Sequence, residues 1–159
     1  MPGRWASGPT TATHRRFGTA YDYRHHGGPD GPWGQHHRRR IYPRTSTDST
    51  GADLTGKKTY TLHFDALPPT VGTGFWSVTA YGEDNFLIDN PISRYCVNDR
   101  SGLHRNPDGF IDVTLSKDAP EDTTNWLPVS DEKFHLFLRI YKPDWTALDS
   151  FPPPVISVK

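Results

Sequence analysis

Three charged residues stand close together in one short stretch and are the first candidates for chemistry. Arg94, Asp99 and Arg100 belong to the segment RYCVNDR, which follows turn-forming residues. Polar groups on such irregular backbone are easily directed at a ligand. A carboxylate between two guanidinium groups either holds a loop in place or leaves one arginine free to bind an anion. The structural role is the commoner one, and all three residues remain candidate ligand-binding residues.

A histidine follows this stretch and suggests acid–base chemistry. His104 near Asp108 or Asp112 would make an imidazole–carboxylate pair that exchanges protons near neutral pH. A nucleophile is not recognisable beside it, because the chain lacks the Gly-x-Ser-x-Gly pattern. Cys96 lies between Tyr95 and Val97 on a strand-like segment, which is typical of a buried, unreactive thiol. The catalytic residues of an enzyme are therefore unknown from the sequence.

An aromatic residue at the end of a polar, acidic loop suggests sugar binding. Asn125 and Trp126 combine a hydrogen-bonding amide with a large ring, and sugar-binding β-domains stack sugar rings on exposed aromatic side chains. Trp76 and Tyr81 lie within a strand pattern and are expected to fill the core instead. Asn125 and Trp126 thus join His104 as candidate ligand-binding residues.

The histidines do not form a metal-binding pattern. Metal-binding β-barrels of the cupin kind place two histidines one residue apart, whereas His63 is followed at that spacing by Asp65. Its strand position predicts a histidine on the solvent side or with partly satisfied hydrogen bonds. The pairs at 25–26 and 36–37 lie in a stretch without fixed geometry. We therefore predict neither a metal site nor a bound cofactor.

The first 46 residues differ sharply from the rest of the chain. They contain eight Arg and no Leu, Val or Lys, and their formal charge of +6 is balanced by −6 in residues 47–159. A segment with so little to bury is predicted to be disordered, and its composition is also typical of a gene-model artefact such as a wrong reading frame. Only Arg38–Arg40 forms a basic cluster, so we predict no nucleic-acid binding.

Targeting signals give little information about compartment. Residues 1–30 contain no apolar run of the length that a signal peptide needs, and no run in the chain is long enough to span a membrane. One cysteine excludes an internal disulfide but fits several compartments. The localisation stays open.

Residues 47–159 show the alternation of β-strands. Apolar residues alternate with polar ones, or fill both faces, in segments that are separated by Gly-, Pro- and Asn-rich turns. The predicted strands cover 60–64, 75–81, 110–115, 134–141 and 155–158, the last as a short edge strand. A further extended segment is predicted at 86–88, after the turn at 82–85, and one helical turn within 144–149. The runs 75–81 and 134–141 are apolar on both faces and are predicted to be central strands. The fold class is all-β, a jelly-roll-like β-sandwich with a disordered N-terminal arm.

The same region resembles a known family. The resemblance rests on the motifs LPPTVGTGFWSVTAYGEDNFLIDNPISRYCVNDR, NPDGFIDVTL, NWLP, FHLFLRIYKP and FPPPVI. In this order and spacing they are similar to the domain of unknown function 1214, over about residues 48–159. The resemblance implies a jelly-roll-like domain without an established activity. It also implies an upstream partner, a domain of unknown function 1254, in proteins that are often exported. Residues 1–46 resemble nothing in the family.

Two functional hypotheses follow. The first is a non-catalytic module for association or ligand binding, with a partner domain, a second copy, a small molecule or a saccharide as ligand. The alternative is part of an enzyme active site around Arg94, Asp99, Arg100, His104 and Trp126, completed by the partner domain. Convergence of these side chains on one pocket would favour the enzyme.

Three expectations concern the surfaces of the domain. The segment 60–64 is expected at a sheet edge, where the partner domain would lie. Residues 47–159 alone are expected to self-associate or bind a hydrophobic dye. Deleting residues 1–46 is expected to leave the thermal midpoint unchanged.

Overall fold

The computed structural model describes residues 40–159, which form two β-sheets and one short helix. The first sheet contains β1 (Arg40–Ile41), β2 (Arg44–Thr45), β4 (Thr70–Gly82), β5 (Cys96–Asn98) and β8 (Phe134–Pro143). The second sheet contains β3 (Tyr60–Phe64), β6 (Ile111–Ser116), β7 (Trp126–Pro128) and β9 (Val155–Val158). The helix α1 spans Trp145–Leu148.

The two long strands form the centre of the first sheet. β4 and β8 run antiparallel from the pair Phe75–Tyr141 to the pair Gly82–Phe134. β5 pairs with the other edge of β4, and β1 and β2 both pair with the other edge of β8. The prediction of two central strands is confirmed. Both strands have neighbours on both edges; their inward residues are buried in the core, whereas Phe137, Arg139 and Tyr141 on the outer face of β8 are only partly buried.

The second sheet corrects one expectation about edges. β3 lies between β6 and β9 and pairs antiparallel with both, so Tyr60–Phe64 is an inner strand and not a sheet edge. β7 pairs in parallel with β6 and forms one edge, while β9 forms the other, as predicted for the C-terminal strand. The predicted helical turn is present as α1, with the Asp144 carboxylate accepting hydrogen bonds from two amides of its first turn.

The core lies between the two sheets. Inward-facing side chains of β3 alternate with partly exposed ones, as a strand with one buried face requires. The Phe64 ring packs 5.3 Å from the Trp76 ring, and the Tyr60 ring lies 6.1 Å from the Phe134 ring, so both sheets contribute to one core. The predicted all-β sandwich is confirmed; its jelly-roll connectivity stays a prediction.

Strands are already present before residue 47, the predicted start of the domain. Residues 40–45 pair with β8, and the Pro43 carbonyl accepts a hydrogen bond from the Leu138 amide at 2.9 Å. The prediction that everything up to residue 46 is disordered is therefore wrong for residues 40–46. Composition misses this because pairing with an existing strand edge uses backbone groups rather than apolar side chains. Residues 1–39 lie outside the described residues, so the disorder predicted for them stays a prediction.

Candidate functional site

Arg94 holds a distant loop in place. Its Nη1 atom donates to the carbonyl oxygens of Thr123 at 2.6 Å, Thr124 at 3.3 Å and Trp126 at 2.9 Å. Its own backbone is fixed by Asn90, whose side chain accepts from the Arg94 amide at 2.9 Å and donates to the Arg94 carbonyl at 3.0 Å. The loop-holding role is as expected, but the acceptors are backbone carbonyls rather than a carboxylate.

Asn125 is equally committed to backbone contacts. Its amide nitrogen donates to the carbonyl oxygens of His104 at 2.8 Å and Asp112 at 2.9 Å. Its amide oxygen accepts from the backbone nitrogen of His104 at 2.8 Å. A side chain with these three hydrogen bonds joins two loops and has little capacity left for a ligand.

Trp126 does not present its ring to solvent. It is the first residue of β7, and only 1% of its surface is exposed. The indole Nε1 donates to the carbonyl oxygen of Ser116 at 3.1 Å, which satisfies its single donor. The interpretation of Trp126 as an exposed platform for a sugar ring is wrong, because the pairing of β7 with β6 places the ring in the interior.

Asp99 and Arg100 do not form the expected cluster with Arg94. The Arg100 amide donates to Asn98 Oδ1 at 2.8 Å, and its guanidinium carbon lies 5.8 Å from the centre of the Phe75 ring. Asp99 is exposed and forms no ion pair with either arginine in the part of the chain that the structure describes. The predicted pairing of a carboxylate between two guanidinium groups is therefore wrong.

The imidazole–carboxylate pair involves a different histidine from the predicted one. His63 Nδ1 lies 2.5 Å from Asp112 Oδ1, and His63 Nε2 lies 3.1 Å from Asp65 Oδ1. The hydrogen bond with Asp112 raises the pKa of His63. His104 instead lies 3.9 Å from Asp122, with both side chains about 70% exposed. Asp112 is unavailable to His104 because it faces His63 across the β3–β6 pair.

The six predicted ligand-binding residues thus only partly converge. Four of them meet around the segment 122–126, where the observed contacts fix the loop: Arg94, His104, Asn125 and Trp126. Asp99 and Arg100 lie apart from this group, in the turn after β5. Ligand binding by these residues stays a prediction.

A groove lies at one end of the sandwich, where β4, β6 and β7 end. We call it the end groove; it has a volume of about 810 Å³ and is lined by parts of 82–91, 117–118 and 128–132. Its walls carry one lysine, Lys117, and six acidic residues, which are Glu83, Asp84, Asp89, Asp118, Asp131 and Glu132. The groove therefore offers a strongly acidic surface, only partly neutralised by the pair of Lys117 with Asp131 at 3.0 Å.

Two large apolar side chains stand exposed at this groove. Phe86 is 72% exposed and Leu87 is 49% exposed. The loop that carries them is closed by hydrogen bonds from the Gly82 amide to the Phe86 carbonyl and from the Phe86 amide to the Asp84 carboxylate, both 3.0 Å. The sequence predicts the turn after β4 but places 86–88 in an extended segment, and it gives no sign of this exposure.

A second surface is the outer face of the first sheet, which faces away from the core. We call it the arginine–aromatic face and define it by Tyr42, Phe75, Tyr81, Phe137, Arg139 and Tyr141. Arg139 donates to the hydroxyl oxygens of Thr79 at 2.7 Å and Tyr81 at 2.6 Å. The sequence shows which residues share this face of β8, but not that Tyr42 packs against Tyr141 on it.

Within residues 40–159, no three histidine, cysteine or carboxylate side chains are arranged so that they could hold a metal ion. In the same range no helix has the length and apolarity needed to cross a membrane.

The comparisons with known proteins identify the family. The family described as "Protein of unknown function (DUF1214)" matches residues 39–145. The chain belongs to this family. The match includes residues 39–46, so the expectation that residues 1–46 resemble nothing in the family is wrong for this part.

Two solved structures are similar to this DUF1214 chain. The crystal structure of the VPA0106 protein from Vibrio parahaemolyticus is 32% identical, with a TM-score of 0.66 over 76% of this chain. An uncharacterized protein from Burkholderia cenocepacia is 17% identical over 84% of this chain, with a TM-score of 0.48. This chain spans only 31% of the length of each of these proteins. No curated protein is significantly similar in sequence.

Proposed function

We propose that this DUF1214 domain is a non-catalytic association module that docks against another protein domain through the end groove. The observation that carries the proposal is the exposure of Phe86 and Leu87 on a closed, hydrogen-bonded loop. Polar side chains at these two exposed positions would be better hydrated than Phe86 and Leu87. The presence of apolar side chains in water therefore favours an interface.

The contacts of the predicted site residues support association over catalysis. Arg94 and Asn125 bind backbone groups, and the Trp126 ring is buried. These contacts hold loops, and Asp99 and Arg100 lie apart from them, which favours association over the convergent pocket that an enzyme would need.

The proposed occupant is a domain of the 1254 type, which the family resemblance places in the same polypeptide in relatives. The similar Vibrio protein is more than three times longer than the part matched here, which supports a further domain beside this one. The acidic lining of the end groove requires a complementary surface that is basic around an apolar centre. Interfaces between domains of one chain typically bury about 600–1,500 Å².

The test measures binding between this chain and a 1254-type domain from the same genome, with the two produced as separate proteins. Leu87→Ser should weaken binding by about tenfold or more, because burial of a leucine side chain contributes about 1.5–3 kcal/mol. Added salt should also weaken binding, since the groove is acidic.

Val71→Ser is the matched control. Val71 is 48% exposed, close to the 49% of Leu87, but it lies at the other end of β4, roughly 30 Å along the strand. Equal affinities of both variants would overturn the proposal, as would absence of binding by the unchanged chain. Sedimentation analysis separates a further outcome: if the chain forms a dimer that Leu87→Ser dissociates, the occupant is a second copy and the proposed partner is wrong.

A further inference from the structure

We infer that the arginine–aromatic face is a binding site for a small ligand that carries a carboxylate on a ring. The face shares no residue with the end groove: it is built from the β1–β2 segment and the outward residues of β4 and β8. The inference therefore does not depend on the proposed docking function.

The central guanidinium is held ready for a ligand. Arg139 lies on β8, and its Nη1 and Nη2 atoms donate to hydroxyl groups of Thr79 and Tyr81 on the neighbouring strand β4. These contacts fix the plane of the group before any ligand binds. A preorganised group loses less conformational freedom on binding, which favours affinity.

Within residues 40–159, no carboxylate pairs with this guanidinium. Both acceptors are neutral hydroxyl groups, and none of the ion pairs within residues 40–159 includes Arg139. Arg139 is nevertheless half-buried. A guanidinium has five N–H donors, and a charge partly removed from water is costly without an ionic partner. An anion at this place would supply that partner.

Two further arginines increase the positive potential of the face. The Arg40 guanidinium carbon lies 5.7 Å from the Tyr42 ring centre, and that of Arg100 lies 5.8 Å from the Phe75 ring centre. Arginine is well suited to this role, because its planar group matches the two oxygens of a carboxylate and also packs on aromatic rings.

The aromatic residues define the other half of the ligand. The rings of Phe75 and Tyr141 stack with centres 4.4 Å apart, and Tyr42 meets Tyr141 edge-on at 5.7 Å. The Arg139 guanidinium carbon lies 5.5 Å from the Tyr81 ring and 5.9 Å from the Tyr42 ring. A ligand carboxylate at Arg139 would thus place an attached ring against aromatic surface, which is favourable for aromatic and for sugar rings.

A buried histidine beside the same tyrosine offers one more polar contact. His135 is 3% exposed and stacks on Tyr81, with ring centres 5.8 Å apart. Its Nε2 atom is buried and has no hydrogen-bond partner among the described residues 40–159. Buried polar atoms are rarely left unsatisfied, so this nitrogen is a candidate for contact with a ligand oxygen, directly or through a water molecule.

The test is an NMR titration of the ¹⁵N-labelled full chain with four probes. Benzoate and glucuronate carry a carboxylate on an aromatic and on a sugar ring, acetate carries the charge alone, and benzamide carries the ring alone. We expect saturable shifts of the Arg139 Nε–H signal with at least one ring carboxylate. Acetate and benzamide should bind at least fivefold more weakly.

Two variants locate the site. Arg139→Lys keeps the charge but loses the two-point contact, so the affinity for the better probe should fall at least tenfold. Tyr81→Phe keeps the ring but removes the hydroxyl that holds Nη2, and should weaken binding severalfold. Arg105→Lys is the control, because Arg105 is exposed and donates only to the Gly109 carbonyl. Thermal unfolding of each variant verifies that it is folded.

The results decide whether the site exists and whether its ligand is an aromatic acid or a sugar acid. Stronger binding of benzoate assigns an aromatic acid, and stronger binding of glucuronate assigns a sugar acid; both support the site. The inference is overturned if neither ring carboxylate gives saturable shifts, or if acetate binds as well as they do. It is also overturned if Arg139→Lys leaves the affinity unchanged. Should that variant fail to fold, Tyr81→Phe and the probe comparison on the unchanged chain still give the decision.

Discussion

Replacement of Arg94 by lysine should destabilise the domain without changing its charge. The lysine ammonium group cannot reach the three carbonyl oxygens that Arg94 Nη1 contacts at 2.6–3.3 Å. A hydrogen bond to a charged group contributes about 1.5–3 kcal/mol. The three contacts share one nitrogen, and the Thr123 contact is exposed, so we expect a total loss of about 2 kcal/mol rather than the sum of three bonds. For a domain of this size that corresponds to a fall in thermal midpoint of about 8 °C.

Thermal unfolding followed by circular dichroism measures this loss directly. Arg105→Lys is the matched control, because it makes the same chemical change at an exposed arginine with one carbonyl contact, and it should shift the midpoint by less than about 2 °C. If Arg94→Lys also shifts the midpoint by less than about 2 °C, Arg94 does not hold the 122–126 loop. Its role as a ligand-binding residue would then be the better interpretation.

Three further predictions test other parts of the fold. Gly56→Ala should lower the thermal midpoint by about 10 °C or prevent folding, because a Cβ atom would lie 1.6 Å from the Ser130 carbonyl oxygen. A midpoint near that of the unchanged chain would contradict this packing. His63→Gln should destabilise the domain in a pH-dependent way, because the hydrogen bond with Asp112 favours the charged imidazole and raises the pKa of His63. Measured by urea unfolding, the loss of stability relative to the unchanged chain should be largest below about pH 6.5 and should shrink as the pH rises through that raised pKa. Deletion of residues 1–46 should lower the thermal midpoint by several degrees relative to deletion of 1–39, because only the former removes β1 and β2; equal midpoints would show that this pairing is dispensable.

The local pattern of the sequence was sufficient to predict most of the strands. The strand 60–64 has the predicted bounds, and the alternation of its apolar residues matches its buried face. The predicted strand 134–141 extends in the structure to residue 143, and the helical turn near 145–148 is present. These features depend on residues that are close together in the chain, so a single sequence contains the information.

The candidate site was predicted poorly because it depends on contacts between distant segments. Arg94 and the Thr123 carbonyl are 29 residues apart, and the Trp126 indole donates to the Ser116 carbonyl of the neighbouring strand β6, ten residues away. His63 and Asp112 meet through the register of two strands, although their separation of 49 residues gives no local signal. Residue types indicated the right chemistry in this last case, but not the partner.

The pairing of residues 40–45 also protects an edge of the first sheet. β8 is the strand that this segment covers, between Leu136 and Tyr141. An uncovered edge strand presents a row of free backbone N–H and C=O groups that can pair with another molecule. A fragment that starts at residue 47 would therefore expose β8 rather than Tyr60–Phe64, which is an inner strand. Its self-association would continue the first sheet from one molecule into the next through backbone hydrogen bonds, a mode of aggregation that a dye for apolar surface would not report.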